Sequence, residues 1–457
     1  MPVCASHHVS IYCLGSVWLC TLPDWLQWIV WWMMIIIVYW YLFSNHELTS
    51  THIFSGQTGS TCAAACFSVS SSPFFNASVV RYPSSYSYPG TYETRYLTPV
   101  LGYAAETSTF STMYSDNLIA SDWKYIGGVL APNGLIFFAP WSADNIGVLD
   151  PSTSSFTTID ICNKISCGGR YTQSSGGQYR GGVLGPNDLI YFVPAYADNI
   201  GVLDPSSSTF TTIDISNTIS IGGKYYGGVL GPNGLIYFVP ANARNIGVLN
   251  PASSSFTTID ISKSVSGNWK YVGGVVGPNG LIYFIPYDAN KIGVLYPNSS
   301  SFTTIDIFIS ASYFGGVLGP NGLIYLVPGK SKSIGVLNPV SSTFTTIDID
   351  SRDRSVSKYV GGVLGPNGLI YFVPHNADNI GVLNPASSSF TTIDISNFIS
   401  LKRKYAGGVL GPNGIIYCVP WDSNNIGKLH LSNSNPAYNV AVEEAWSALL
   451  SPHFNKF

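Results

Sequence analysis

The chain has 457 residues, with 21 Lys+Arg against 24 Asp+Glu, and charged side chains make up only 10% of it. An ordinary globular chain carries about 25%, so a concentrated basic face that grips phosphates is excluded and nucleic acid is not an expected partner. Gly, Ser, Thr, Asn, Tyr and Pro are abundant, which suits many strands and tight turns, and an extracellular surface better than a cytosolic one.

Residues 1–24 form a short N-terminal segment. Residues 25–43, WLQWIVWWMMIIIVYWYLF, contain no charged residue and one Gln. As a helix this stretch would span roughly 28 Å, close to the ~30 Å of a bilayer core. Trp and Tyr at both ends resemble an interfacial belt. The expected element is a signal anchor or single transmembrane helix. A cleaved signal peptide and a misplaced start of the reading frame are the alternatives; the first lacks a basic n-region and a small-x-small cleavage site. No Lys or Arg precedes Arg81, so the positive-inside rule gives no orientation.

Residues 44–105 have neither a helical nor a strand period. RYPSSYSYPGTYETRY within them marks a stalk or linker. Asn76-Ala77-Ser78 and Asn298-Ser299-Ser300 match the glycosylation acceptor pattern.

From residue 106 to 431 one phrase, Tyr-x-Gly-Gly-Val-x-x-Pro-Asn-(Gly/Asp), recurs seven times. Its glycine pairs begin at Gly127, Gly181, Gly227, Gly273, Gly315, Gly361 and Gly407, in steps of 54, 46, 46, 42, 46 and 46 residues. A period in the forties made of short apolar runs and turn residues predicts an all-β propeller with seven blades. In residues 224–261 the expected strand a is Tyr225–Leu230, strand b Leu235–Val239, strand c Ile246–Asn250 and strand d Phe256–Ile261. Pro232-Asn233-Gly234 supplies the tight turn between a and b. Strand b is apolar throughout and needs cover on both faces, whereas strand d alternates and meets water on one. This gradient predicts four-stranded antiparallel blades set radially. The Gly-Gly of strand a fits the crowded region near the axis.

FTTIDI occurs six times, one fewer than the glycine phrase. Residues 109–128 align without a gap to residues 209–228, and after Gly407 the chain supplies only strands a, b and c. Phe110–Ser115 is therefore expected to complete the last blade, which removes the open sheet edges.

The phrase N-x-I-G-V-L-(D/N)-P-x-(S/T)-S-x-F resembles the blade motif of seven-bladed propellers of the virginiamycin-B-lyase, YVTN and NHL-like group, over residues 110–431. The resemblance implies that fold. For the lyase-like members it also implies His and Glu acting with a divalent metal. Residues 110–431 contain no Glu, and their only histidines are His375 and His430.

Positions identical in every copy do the same structural job in each blade; a single site is built from positions that differ. The resemblance places the d–a and b–c loops on the ligand face. The b–c loops are WSADN, AYADN, ANARN, YDANK, GKSKS, HNADN and WDSNN. The expected binding residues are Trp141, Asp144, Tyr196, Asp198, Arg244, Tyr287, Asp288, His375, Asp378, Trp421 and Asp422. Aromatics beside carboxylates and amides suit a sugar or peptide surface; a solvated loop without a ligand is the alternative. A Lys-Tyr pair precedes most glycine pairs (Lys124, Lys224, Lys270, Lys358 and Lys404). The Tyr is expected to pack between blades and the Lys to be solvated, with an anion-attracting ring at the channel mouth as the alternative.

No G-x-S-x-G, H-E-x-x-H or phosphate-binding glycine loop is present. No catalytic or metal residue is assigned and no cofactor is expected, oxygen ligation of a divalent ion by the loops being a minor alternative. Cys162 and Cys167 bracket a loop and are a candidate disulfide. The first d–a loop is eight residues longer than its counterparts, the connection after Ile307 four residues shorter, and GKSKS basic where the other loops are not. Residues 432–457 leave the repeat; Val442, Trp446, Leu449 and Leu450 share one stripe of a short predicted helix.

The expected function is a monomeric, non-catalytic binding propeller, membrane-anchored or secreted with the propeller extracellular or lumenal, taking a protein or carbohydrate on the loop face. The alternative is a metal-dependent lyase or hydrolase using His375 and Asp378 there.

Overall fold

A computed structural model describes residues 48–54, 64–69, 108–118, 121–165, 177–307, 312–349 and 357–431. The predicted helices within 25–43 and 432–457 lie outside them, as do Asn76 and Cys167. No helix among the described residues is long and apolar enough to cross a membrane.

The chain divides into two units. In the first, Leu48–Phe54 pairs antiparallel with Ala64–Val69. The sequence reading expected no strand there. Both runs carry β-branched or aromatic residues and lack Pro, which is enough for a ladder.

The second unit is the propeller. Blade 1 comprises Tyr125–Leu130, Ile136–Pro140, Asn145–Asp150 and Ser155–Asp160, strands a to d. Blades 2 to 6 repeat this order, with strands a at Tyr179–Leu184, Tyr225–Leu230, Tyr271–Val276, Tyr313–Leu318 and Tyr359–Leu364. Blade 7 takes Tyr405–Leu410, Ile415–Pro420 and Asn425–His430 from the end of the repeat and Thr109–Tyr114 from its beginning. The closing pairs run from Thr109 with His430 to Tyr114 with Asn425. The predicted closure is thus observed, one residue earlier than expected. Strand a of blade 7 packs against strand a of blade 1, as in every other neighbouring pair.

Each junction between blades holds its own apolar core. At the junction of blades 1 and 2, Val129, Phe137, Ile146 and Val148 meet Tyr179, Ile190, Phe192 and Phe210. The junction of blades 7 and 1 is built alike, from Val409, Tyr417, Val419 and Ile426 against Tyr125, Phe138 and Phe156. Strands a and b are buried along their length, while strand d of blade 1 is buried only at Phe156.

The two glycines of strand a do different work. The first is left-handed (Gly127 φ 75°), at the register shift between Tyr125 and Gly128. The second allows contact between blades: a Cβ on Gly128 would lie 2.8 Å from Val409 Cγ2.

Polar latches cross the junctions on both faces. On the a–b and c–d side, Asn133 Nδ2 donates to the Pro205 carbonyl at 2.9 Å, with the same bond from Asn233 to Pro297, Asn279 to Pro339, Asn321 to Pro385 and Asn413 to Pro151. On the opposite side the lysines before strand a serve as latches. The expectation that they are solvated is overturned: Lys124, Lys224, Lys270, Lys358 and Lys404 are buried. Lys224, Lys270, Lys358 and Lys404 donate to the carbonyls of Ala197, Ala241, Ser331 and Ala377 in the preceding blade's b–c loop. A chain of that length beside a carbonyl-rich loop end finds partners without reaching water.

Candidate functional site

The b–c loops follow Pro at the end of strand b, and their first residues point toward the axis. The second residue of each strand a does the same from below. Together they form an apolar layer over the centre of this face: Ile126, Tyr226, Val272, Phe314, Val360 and Ala406, topped by half-buried Trp141, Tyr196, Tyr287 and Trp421.

Ring contacts run continuously around it. His375 meets Trp421 at 6.2 Å between centroids, Trp421 meets Trp141 at 5.9 Å, and Trp141 meets Tyr196 at 6.1 Å and Tyr226 at 6.4 Å. Tyr226 meets Trp269 at 4.8 Å, Trp269 meets Tyr287 at 6.0 Å, and Tyr287 meets Phe314 at 4.9 Å. Arg180 lies within this arc, its Cζ 3.9 Å from the Tyr226 ring centroid and 5.5 Å from that of Trp141. Burial lowers the pKa of Arg180 and raises that of Tyr226 to about 12. Small residues let the rings lie flat: a Cβ on Gly177 would be 2.1 Å from Trp141 Cδ2, and one on Gly329 2.2 Å from Phe314 Cδ2.

Nine of the eleven expected binding residues fall into two groups. The aromatics Trp141, Tyr196, Tyr287 and Trp421 converge on the axis with His375. Asp144, Asp198, Arg244 and Asp378 are exposed and sit just before strand c, where the carbonyls of all four accept from the residue following strand d of their own blade. Asp198 pairs with Lys224 at 3.3 Å and Asp378 with Lys404 at 3.0 Å, so these carboxylates complete the lysine latches. Asp288 is exposed, its N–H bonded to the Trp269 carbonyl. Asp422 is buried; it accepts from the Trp123 N–H at 2.8 Å and pairs with Arg403 Nε at 2.8 Å. Burial raises its pKa, against the lowering effect of that N–H and of Arg403.

Tyr226, Trp269, Phe314, Arg180, Trp123 and Arg403 were missed by sequence reasoning. All six occupy one of two positions: the variable residue after Tyr in strand a (Arg180, Tyr226, Phe314), or the residue before the Lys-Tyr pair, as Trp269 does. Trp123 and Arg403 share that second position.

Asn298 is exposed in the c–d turn of blade 4, on the opposite face. Cys162 is held in a disulfide.

The residues do not fit a lyase-type metal centre. Among the described residues no three His, Cys, Asp or Glu side chains converge. His375 spends Nδ1 on the Tyr405 carbonyl at 2.8 Å, which leaves one ring nitrogen, and Asp378 is engaged by Lys404. Burial holds the His375 pKa down to about 4.

No protein-family model matches the chain, and no curated protein matches its sequence. Among solved structures, virginiamycin B lyase from Staphylococcus aureus, as a catalytically inactive variant with quinupristin, matches at a TM-score of 0.58 and 18% identity, covering 71% of this chain and 100% of that one. A streptogramin B lyase matches at 0.57 and 19%, covering 71% and 98%. The extracellular domain assigned to a hybrid two component system of B. thetaiotaomicron matches at 0.54 and 12%, covering 71% of this chain and 43% of that one. At these identities the likeness is one of fold, and the chain has the seven-bladed propeller fold of the virginiamycin B lyase structures.

Proposed function

We propose that the propeller is a non-catalytic module that binds a glycan on the b–c and d–a loop face, held outside a membrane by residues 25–43. The observation that carries this reading is the unbroken arc from His375 through Trp421, Trp141, Tyr226, Trp269 and Tyr287 to Phe314. The partly exposed rings of Trp421, Trp141, Trp269 and Tyr287 suit the C–H faces of sugar rings, and packing against buried Tyr226 and Phe314 and against glycines keeps them rigid before a ligand arrives. The likeness to an extracellular domain agrees with an outward-facing propeller.

The test is a glycan array probed with the purified full-length chain, followed by the Trp141→Ala plus Trp421→Ala variant. Binding that disappears in the variant supports the reading. A silent array, or binding untouched by the double substitution, overturns it. Capture of a protein ligand instead replaces the glycan with a peptide surface.

A further inference from the structure

The residue just before the Lys-Tyr pair is left-handed in five of the connections into strand a: Trp123 (φ 58°), Gly223 (φ 64°), Trp269 (φ 51°), Ser357 (φ 61°) and Arg403 (φ 55°). Glycine is the residue this backbone favours, and Gly223 shows that the connection accepts it. Trp and Arg are strained there, and their side chains have no place in the inter-blade cores. Each of the three instead makes contacts on the loop face. Trp269 meets Tyr226 edge-on and Tyr287 at a tilt, and Arg403 lies with its Cζ 5.7 Å from the centroid of Trp123.

The pair at the seam between blades 7 and 1 is the more informative. Asp422 joins both residues: it accepts from Trp123 N at 2.8 Å and forms an ion pair with Arg403, whose Nε lies 2.8 Å from Oδ2, while Asn376 Oδ1 accepts from Arg403 N at 2.8 Å. The Arg403 side chain is nevertheless 45% exposed, while that of Asp422 is 4% exposed. Nε is the guanidinium nitrogen paired with Asp422. A guanidinium ion-paired on one side and this exposed on the other still carries planar N–H donors toward solvent, the arrangement that matches the two oxygens of a carboxylate. Next to Asp422 stands Trp421, which follows His375 in the aromatic arc.

From this we infer that Arg403 and Trp123 form a subsite for the carboxylate of an acidic sugar, whose ring lies on the Trp421–Trp141 surface. The inference rests on the glycan-binding reading above and adds the ligand's class, a uronate-containing oligosaccharide. Arg403 supplies the paired donors, Trp123 backs the guanidinium, and Asp422 sets its direction.

The test is calorimetric titration of the full-length chain with oligogalacturonate, with its carboxyl-reduced neutral counterpart, and with a sulfated oligosaccharide of the same length. Oligogalacturonate binds tightest. Arg403→Gly, which suits the left-handed backbone, weakens it by at least about tenfold and leaves the neutral sugar within about twofold. Trp123→Gly keeps the Arg403–Asp422 pair, so it provides a second variant if loss of the arginine disturbs folding; it too lowers affinity for the acidic sugar selectively. Arg403→Lys does not restore wild-type affinity, because a point charge lacks the planar fork. Equal affinity for acidic and neutral sugars, unchanged in both glycine variants, overturns the subsite while glycan binding stands. Tighter binding of the sulfated sugar overturns the carboxylate assignment. Binding of none of the three overturns both.

Discussion

Lys270 Nζ donates to the Ala241 carbonyl at 2.7 Å, tying the start of blade 4 to the b–c loop of blade 3. Loss of hydration, reinforced by Arg244, lowers the Lys270 pKa to about 8. Its folded value therefore lies below its unfolded value near 10.4. Between these limits the unfolded chain binds the extra proton, so this residue's contribution to stability rises with pH from about 8 to about 10. Lys270→Met removes that slope. Thermal unfolding of both proteins at pH 7.5 and pH 9.5 checks it: the wild-type Tm gains on the variant at the higher pH, and parallel shifts contradict the assignment.

A methyl group at Gly128 has nowhere to go, because the Val409 side chain of the neighbouring blade already stands 2.8 Å from where it would be. The two neighbouring blades would have to part slightly where their strands a meet. Gly128→Ala is expected to cost about 1–3 kcal/mol, as overpacking does. Gly134, in the a–b turn, has no atom within 4 Å of a built Cβ but a φ of 81°. Gly134→Ala costs about 1 kcal/mol through backbone strain alone. Urea unfolding of the two variants ranks them, with Gly128→Ala the less stable.

Phe110 holds the ring shut. It pairs with Leu429, packs over Gly427 and meets Phe398 edge-on at 5.7 Å. Its equivalents, such as Phe256, sit in strands covalently continuous with the rest of their blade. Phe110→Ala is expected to cost about 3–5 kcal/mol, the range for a buried Phe. It should also free the edge of Asn425–His430 for pairing with other chains. Light scattering after mild heating checks this: oligomers form in Phe110→Ala at temperatures where Phe256→Ala remains monomeric.

The architecture was open to reading because seven copies report the same constraints. The Pro-Asn-Gly turns, the fully apolar strand b and the missing seventh FTTIDI each point to one ring closed by its own N-terminal strand. The lysines were misread because a charged residue before a strand looks solvated; the carbonyls that receive it belong to the preceding blade, some 27 residues away in sequence for Lys224 and Ala197. The site was legible only in part. Trp141, Tyr196, Tyr287 and Trp421 stood out as variable loop aromatics. Tyr226, Phe314 and Arg180 were hidden inside a strand whose other positions scarcely change. Trp123, Trp269 and Arg403 were hidden because a left-handed backbone leaves no mark when the residue occupying it is not glycine.

His375 links the candidate site to acid stability. Its Nδ1 donates to the Tyr405 carbonyl, and burial, opposed by that bond and assisted by Arg403 and Lys404, lowers its pKa to about 4. An unfolded chain takes up this proton near pH 6.5. As pH falls from 6.5 toward 4 the unfolded state therefore gains protons that the folded ring refuses, and stability drops. Discounted for the ring's partial exposure, the loss is about 1–2 kcal/mol. Above pH 6.5 His375 is neutral in both states and contributes no slope. His375→Gln should flatten the acid limb of the Tm profile between pH 6.5 and 4.5 without changing it at pH 8. A chelator should shift neither profile, since a single imidazole nitrogen is a poor anchor for a divalent ion. A wild-type profile that matches the variant throughout the acid limb would show that His375 is protonated in the folded protein, and the packing of its ring beside Trp421 would then need another explanation.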